Sequence, residues 1–150
     1  MRLLLVVGLA LAFLLAPAAA QASDASLKAT VKRELTRLGK AEKKFQKVAE
    51  TVNSDAELGK AKAATEKLVT AVDRFHSKVK AEEADSADLK SARSKLLDAS
   101  KTYSKGLNKL VAAIDANSKA KVESALKTIQ KAYKKFASAG KALGSAGTSV

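Results

Sequence analysis

Asp73 and His76 are the side chains best equipped for chemistry, and His76 is the sole histidine of the 150-residue chain. Three residues apart, they share one helix face, a spacing that resembles half of a carboxylate-bridged metal site. A complete site of that kind in a helical bundle takes two Glu-x-x-His units and further inward carboxylates. A single imperfect half is present, so the expected role of the pair is a local ion pair or cap. Serines are plentiful, yet any Ser-His-acid arrangement has to pass through His76. The absence of cysteine excludes disulfides, thiolate metal sites, thiol catalysis and covalent haem attachment. There is no glycine-rich phosphate loop. The sequence therefore reads as a protein that is not an enzyme, with no catalytic residue, no cofactor and no metal ligand.

Positive charge is the other chemical feature. The formal net charge is +13, and of the 28 basic residues all but Arg2, Arg33, Arg37, Arg74 and Arg93 are lysine. Two clusters, Lys43, Lys44 and Lys47 near the start and Lys131, Lys134 and Lys135 near the end, are the expected contacts for an anion. Lysine attracts phosphate as a point charge and lacks the planar two-pronged grip of arginine. The aromatic residues fall on apolar stripes, which leaves no exposed ring for base stacking. Sequence-specific nucleic-acid binding is accordingly not expected. The same lysine clusters are also what the solvent side of an ordinary helix looks like.

The elements that carry these residues begin after a leader. Met1-Arg2, an apolar run from Leu3 to Leu15, Pro17 and the small residues Ala18-Ala19-Ala20-Gln21-Ala22 have the order of a secretory signal peptide. Cleavage is expected after Ala22, with Ala20 as an alternative, and retention as an anchor is the competing reading. Residues 1–22 are thus assigned to the signal peptide, 23–143 to one helical domain and 144–150 to a disordered tail. After cleavage no membrane span remains, and a secreted or periplasmic location follows. An exported chain without disulfides holds together by packing alone, which inclines the reading toward a bacterial envelope.

Beyond the leader, apolar residues recur at intervals of three and four, the mark of helices that each bury one stripe. The stripes are Leu27, Val31, Leu35, Leu38, Ala41, Phe45, Val48 and Val52; Leu58, Ala61, Ala64, Leu68, Val72, Phe75 and Val79; Leu89, Ala92, Leu96, Ala99, Tyr103, Leu107, Leu110 and Ile114; and Val122, Leu126, Ile129, Tyr133 and Phe136, with Leu143 trailing. Start signals separate them: Ser54 with Glu57 as a capping box, Asp85 or Ser86 as a cap, and Asn117 beside Ser118. Four helices of about 40 Å, at 1.5 Å per residue, joined by short connections, predict an all-α, up-down-up-down antiparallel four-helix bundle.

Charge is uneven along this order. The four segments carry formal charges of +4, zero, +2 and +6. In an up-down bundle the first and last helices lie side by side, which gathers most of the charge on one face. The expected function is therefore a binding module whose helix 1/helix 4 face meets an anionic lipid or a cell-envelope polyanion. The alternative is a structural or protein-interaction module, a homodimer included, pairing through its alanine-rich stripes.

Overall fold

The structure, a computed structural model, describes residues 22–52 and 55–146. All but the last residue of the expected signal peptide lies outside the described residues, as do Ser54 of the expected capping box and residues 147–150. Four helices pack against each other: α1 (Ala22–Glu50), α2 (Asp55–Ala81), α3 (Ala87–Asp115) and α4 (Lys119–Ser145). Among the described residues there is no strand, and no helix is long and apolar enough to cross a membrane.

Local chemistry sets the helix ends. Ser86 is the N-cap of α3 and accepts from the Leu89 N–H, while Ser118 caps α4 and accepts from the Lys121 N–H. Asn117 between them has φ 45°, the left-handed turn that asparagine tolerates better than most side chains. Asp85, the other candidate cap of α3, instead accepts from the Ser23 hydroxyl. A second cap on α3 comes from another helix. Asp24 Oδ1 of α1 takes the Asp85 N–H at 2.7 Å and the Ser86 N–H at 3.4 Å. At the far end, α4 continues through Gly144 and Ser145, two residues into the stretch expected to be tail. Its last turn is anchored by Leu143, which is buried, and by Ala142 and Ala146, which pack against the core.

Contacts between helices fix their directions. Thr30 meets Glu82 and Glu34 meets Arg74; His76 meets Ser100 and Lys62 meets Asp115; Asp98 meets Lys135 and Tyr103 meets Tyr133. In each pair one number rises as the other falls, so α1 and α2, α2 and α3, and α3 and α4 run antiparallel. The tightest of these neighbours are α3 and α4. Small residues make that approach possible: Ala99, Ala113, Ala125, Ala132 and Ala139 are fully buried, and Gly106 packs directly against Ile129. Backbone packing between α1 and α4, by contrast, is slight.

The core is one cluster that draws on every helix, centred on Phe75, Tyr103 and Phe136. Phe136 makes edge-to-face contacts with Phe75 at 5.7 Å and Tyr103 at 6.2 Å, an arrangement that suits the ring quadrupoles. The apolar stripes of α2 and α3 are buried nearly as the sequence predicts. That of α1 is buried from Leu27 to Leu38, whereas Ala41, Phe45, Val48 and Val52 are half-buried. The reason is the slack α1–α4 seam, which leaves the second half of α1 without a close neighbour on one side.

Candidate functional site

The Asp73/His76 pair does not form its expected local ion pair. Each turns to a serine of α3: His76 Nδ1 lies 2.8 Å from Ser100 Oγ, and Asp73 Oδ1 accepts from Ser104 Oγ at 2.8 Å. Ser100 Oγ also lies 2.9 Å from the Leu97 carbonyl of its own helix. Both residues act as ties between α2 and α3. Among the described residues no group of three or more His, Asp or Glu side chains is placed to hold a metal ion.

The six lysines expected to bind anions are not all turned to one face. Lys43, Lys44, Lys47, Lys131 and Lys134 are exposed, and among the described residues they have no hydrogen-bonding or ion-pair partner. Lys135 is half-buried and turned toward α3, with Nζ 2.7 Å from Asp98 Oδ2 and 3.0 Å from Thr102 Oγ1. Lys44 follows Arg37 by seven residues and so lies on the same edge of α1, the edge directed at α2. Lys43 adjoins Glu42, which reaches α4 at Tyr133. Spaced one, three and four residues apart, the members of each cluster share one side of their helix.

The arginines, by contrast, are brought together. Glu34 is 2% exposed, covered by three guanidinium groups that are each about half in water. Its Oε1 accepts from Arg37 Nη1 at 2.6 Å and Arg33 Nε at 3.4 Å, and its Oε2 from Arg74 Nε of α2 at 3.1 Å. Burial alone disfavours the carboxylate, but the Arg74 hydrogen bond and the fields of Arg37 and Arg74 outweigh it and hold the Glu34 pKa below the ordinary range. Beside this cluster, Glu82 accepts from Ser26 at 2.6 Å and Thr30 at 2.7 Å, and those bonds lower its pKa as well. The fourth arginine of the described chain, Arg93, donates to the Val79 and Lys80 carbonyls at the end of α2.

A second polar group bridges the slack seam. Tyr103 of α3 donates to Glu42 Oε1 of α1 at 2.9 Å and stands 2.9 Å from the hydroxyl of Tyr133 of α4, which lies 3.4 Å from the same carboxylate oxygen. Burial pushes the Glu42 pKa up, and the two tyrosine bonds offset this in part. Burial and the neighbouring carboxylate raise both tyrosines. Next to the group is a cavity of about 20 Å³, walled by Phe45, Leu107, Leu110 and Leu126 among others. That is room for about one water molecule.

Several acidic side chains, Asp24, Glu34, Glu42, Asp73 and Glu82 among them, tie the helices together, and the arginine cluster at Glu34 is the one strongly charged group preorganised by a buried partner among the described residues. Sequence reading passed over it because the arginines are 41 residues apart at the extremes. Its signal was nevertheless present as basic residues at intervals of seven: Arg33, Lys40 and Lys47; Arg37 and Lys44; Lys60, Lys67 and Arg74. Comparison with family models, with curated proteins and with solved structures finds no match for the chain.

Proposed function

We propose that the chain is an exported, non-enzymatic binding module, an up-down-up-down bundle that holds an anionic lipid or polyanion of the cell envelope against its basic surface. The observation that carries this reading is the division of charge. Asp24, Glu34, Glu42 and Glu82 are engaged in contacts within the bundle, while Lys43, Lys44, Lys47, Lys131 and Lys134 face solvent with no partner among the described residues. Glu50, Glu66, Glu83, Asp88 and Glu123 are exposed too, but the exposed lysines outnumber them, so the surface keeps a net positive field. The leader sequence supports the extracytoplasmic location.

Retention of the mature chain on heparin-agarose and on vesicles rich in phosphatidylglycerol, measured across salt, tests the proposal. Binding at low salt that declines steeply as salt rises is expected. Absence of binding at low salt on both matrices removes it.

A second reading, protein pairing, has its own observation in the half-buried Phe45 and Leu126 beside the α1–α4 seam. Of the alanines on the stripes expected to pair, Ala61, Ala92 and Ala99 are buried in the core, whereas Ala41 and Ala64 are half-buried. Light scattering at several protein concentrations separates the two readings, since a strict monomer that binds anions favours the first.

A further inference from the structure

We propose that Arg33, Arg37 and Arg74, gathered by Glu34, form a phosphate-recognition site in the middle of a basic seam between α1 and α2, and that its occupant is a linear chain of phosphate groups. This rests on the anion-binding reading above and moves its centre from the α1/α4 face to the α1–α2 seam.

Three observations support it. The first is preorganisation. Arg74 meets Glu34 through Nε alone and Arg37 through Nη1 alone, and Arg33 uses Nε for Glu34 and Nη2 for Thr30. Both Nη groups of Arg74, and Nη2 of Arg37, are therefore without a protein partner among the described residues, on side chains already held in place. Donors fixed before binding lose less conformational freedom on engaging an oxyanion. The second is charge: three guanidinium groups share one carboxylate, so a local excess of two positive charges remains at the surface. Glu82, the next acidic group, accepts from Ser26 and Thr30 but keeps a charge that interacts with Arg33, so the excess counted with it is one.

The third is the line in which further basic residues stand. Arg37 to Lys44 is one heptad along α1, Arg33 to Lys47 two, and Lys60 to Arg74 two along α2; all are exposed. The antiparallel pairing of Glu34 with Arg74 lays these rows side by side over about 21 Å at 1.5 Å per residue. Two parallel rows flanking a helix–helix groove match a chain of regularly spaced charges better than an isolated ion. The forked guanidinium geometry adds a preference for tetrahedral phosphate oxygens that lysine alone does not supply.

The probe is linear inorganic polyphosphate, titrated against the mature chain by calorimetry. Pyrophosphate, polyglutamate and phosphatidylglycerol vesicles are the comparison arms. Polyphosphate is expected to bind more tightly than polyglutamate of equal charge and far more tightly than pyrophosphate. A variant with Arg33→Lys, Arg37→Lys and Arg74→Lys keeps the charge beside Glu34 and is expected to bind at least about tenfold more weakly, the order of a lost bidentate contact. Lys60→Gln with Lys67→Gln, which leaves the Glu34 contacts untouched, is expected to weaken binding and flatten its salt dependence. Lys131→Gln with Lys134→Gln should do so much less. Arginine-to-lysine and Lys60/Lys67 variants that both bind like the parent overturn the site while leaving general anion binding intact. A parent that binds none of the anions overturns both. Stronger binding to vesicles or to polyglutamate than to polyphosphate overturns the choice of occupant.

Discussion

Gly106 of α3 lies so close to Ile129 of α4 that a Cβ added to it would stand 2.8 Å from Ile129 Cγ1 and 3.0 Å from the Ile129 backbone nitrogen. The second distance matters more, because a side-chain atom can rotate away and a helix backbone has to move as a whole. The glycine is thus what lets α3 and α4 pack as the tightest pair. Gly39 and Gly59, also helical, have nothing within 4 Å of an added Cβ.

These glycines make a controlled comparison. Gly106→Ala gains helix propensity worth about 1 kcal/mol but pays an overpacking penalty of about 1–3 kcal/mol, for a net loss. Gly39→Ala and Gly59→Ala gain propensity without the penalty and are expected to stabilise by roughly 0.5–1 kcal/mol. Urea unfolding of the three variants checks the signs. A Gly106→Ala protein more stable than its parent would show that α3 and α4 are not in this contact.

Glu42 gives the fold a penalty that grows with pH. Its folded pKa is raised, so the folded state holds the proton more tightly than the unfolded chain does. Stability from this group is therefore fully present below the unfolded value and falls as pH rises through the folded pKa. Glu42→Gln keeps an acceptor for Tyr103 and removes the buried charge. The variant is expected to melt about 2–4 °C above the parent at pH 7 and to converge with it near pH 4. Equal melting temperatures at pH 7 would mean that Glu42 is well solvated.

How much of this was legible depended on the range over which each feature is encoded. Ser86, Asn117 and Ser118 were readable because a cap is written within four residues of the backbone it serves. The stripes were readable because each large apolar residue sits in a period. Buried alanines such as Ala125, Ala132 and Ala139 follow the same period, but a stripe read through its large residues passes over them. Glu34, Thr65 and Ser100 carry polar groups, and burial becomes acceptable through what each accepts or donates. Thr65 donates to its own helix at Ala61, whereas Glu34 depends on Arg74, 40 residues away. The half-burial of Phe45 and Val48 was beyond the sequence altogether, since it follows from how far α1 stands from α4.

Arg93 ties the end of α2 to α3, with Nε 3.2 Å from the Val79 carbonyl and Nη2 2.7 Å from that of Lys80. The Val79 carbonyl also accepts from the Glu82 N–H at 3.4 Å, just past the end of α2, where carbonyls have no partner within their own helix. Arg93→Ala is expected to cost about 1 kcal/mol, and Arg93→Lys to recover less than half, because one ammonium does not reproduce the fork. Amide exchange reads the effect locally, through faster exchange in the last turn of α2. Full rescue by lysine would reduce the contact to simple charge attraction.

The contacts of Asp24 and Glu82 place an acid-labile clasp where the start of α1 meets the α2–α3 connection. Burial opposes ionisation of Asp24, but the Asp85 and Ser86 backbone donors prevail and lower its pKa; the Ser26 and Thr30 hydroxyls do the same for Glu82. A depressed folded pKa contributes stability that is present above the unfolded value, near 4, and is lost as pH falls through the folded one. The parent is accordingly expected to lose stability steeply below about pH 4. Asp24→Asn with Glu82→Gln should lower stability at pH 6 by about 1–2 kcal/mol. The same variant should approach the parent as pH falls through the folded pKa values, where the native carboxylates become protonated too. Urea midpoints measured across that range decide the matter: curves that stay parallel to pH 2 would assign the lost stability to packing rather than to the ionised clasp.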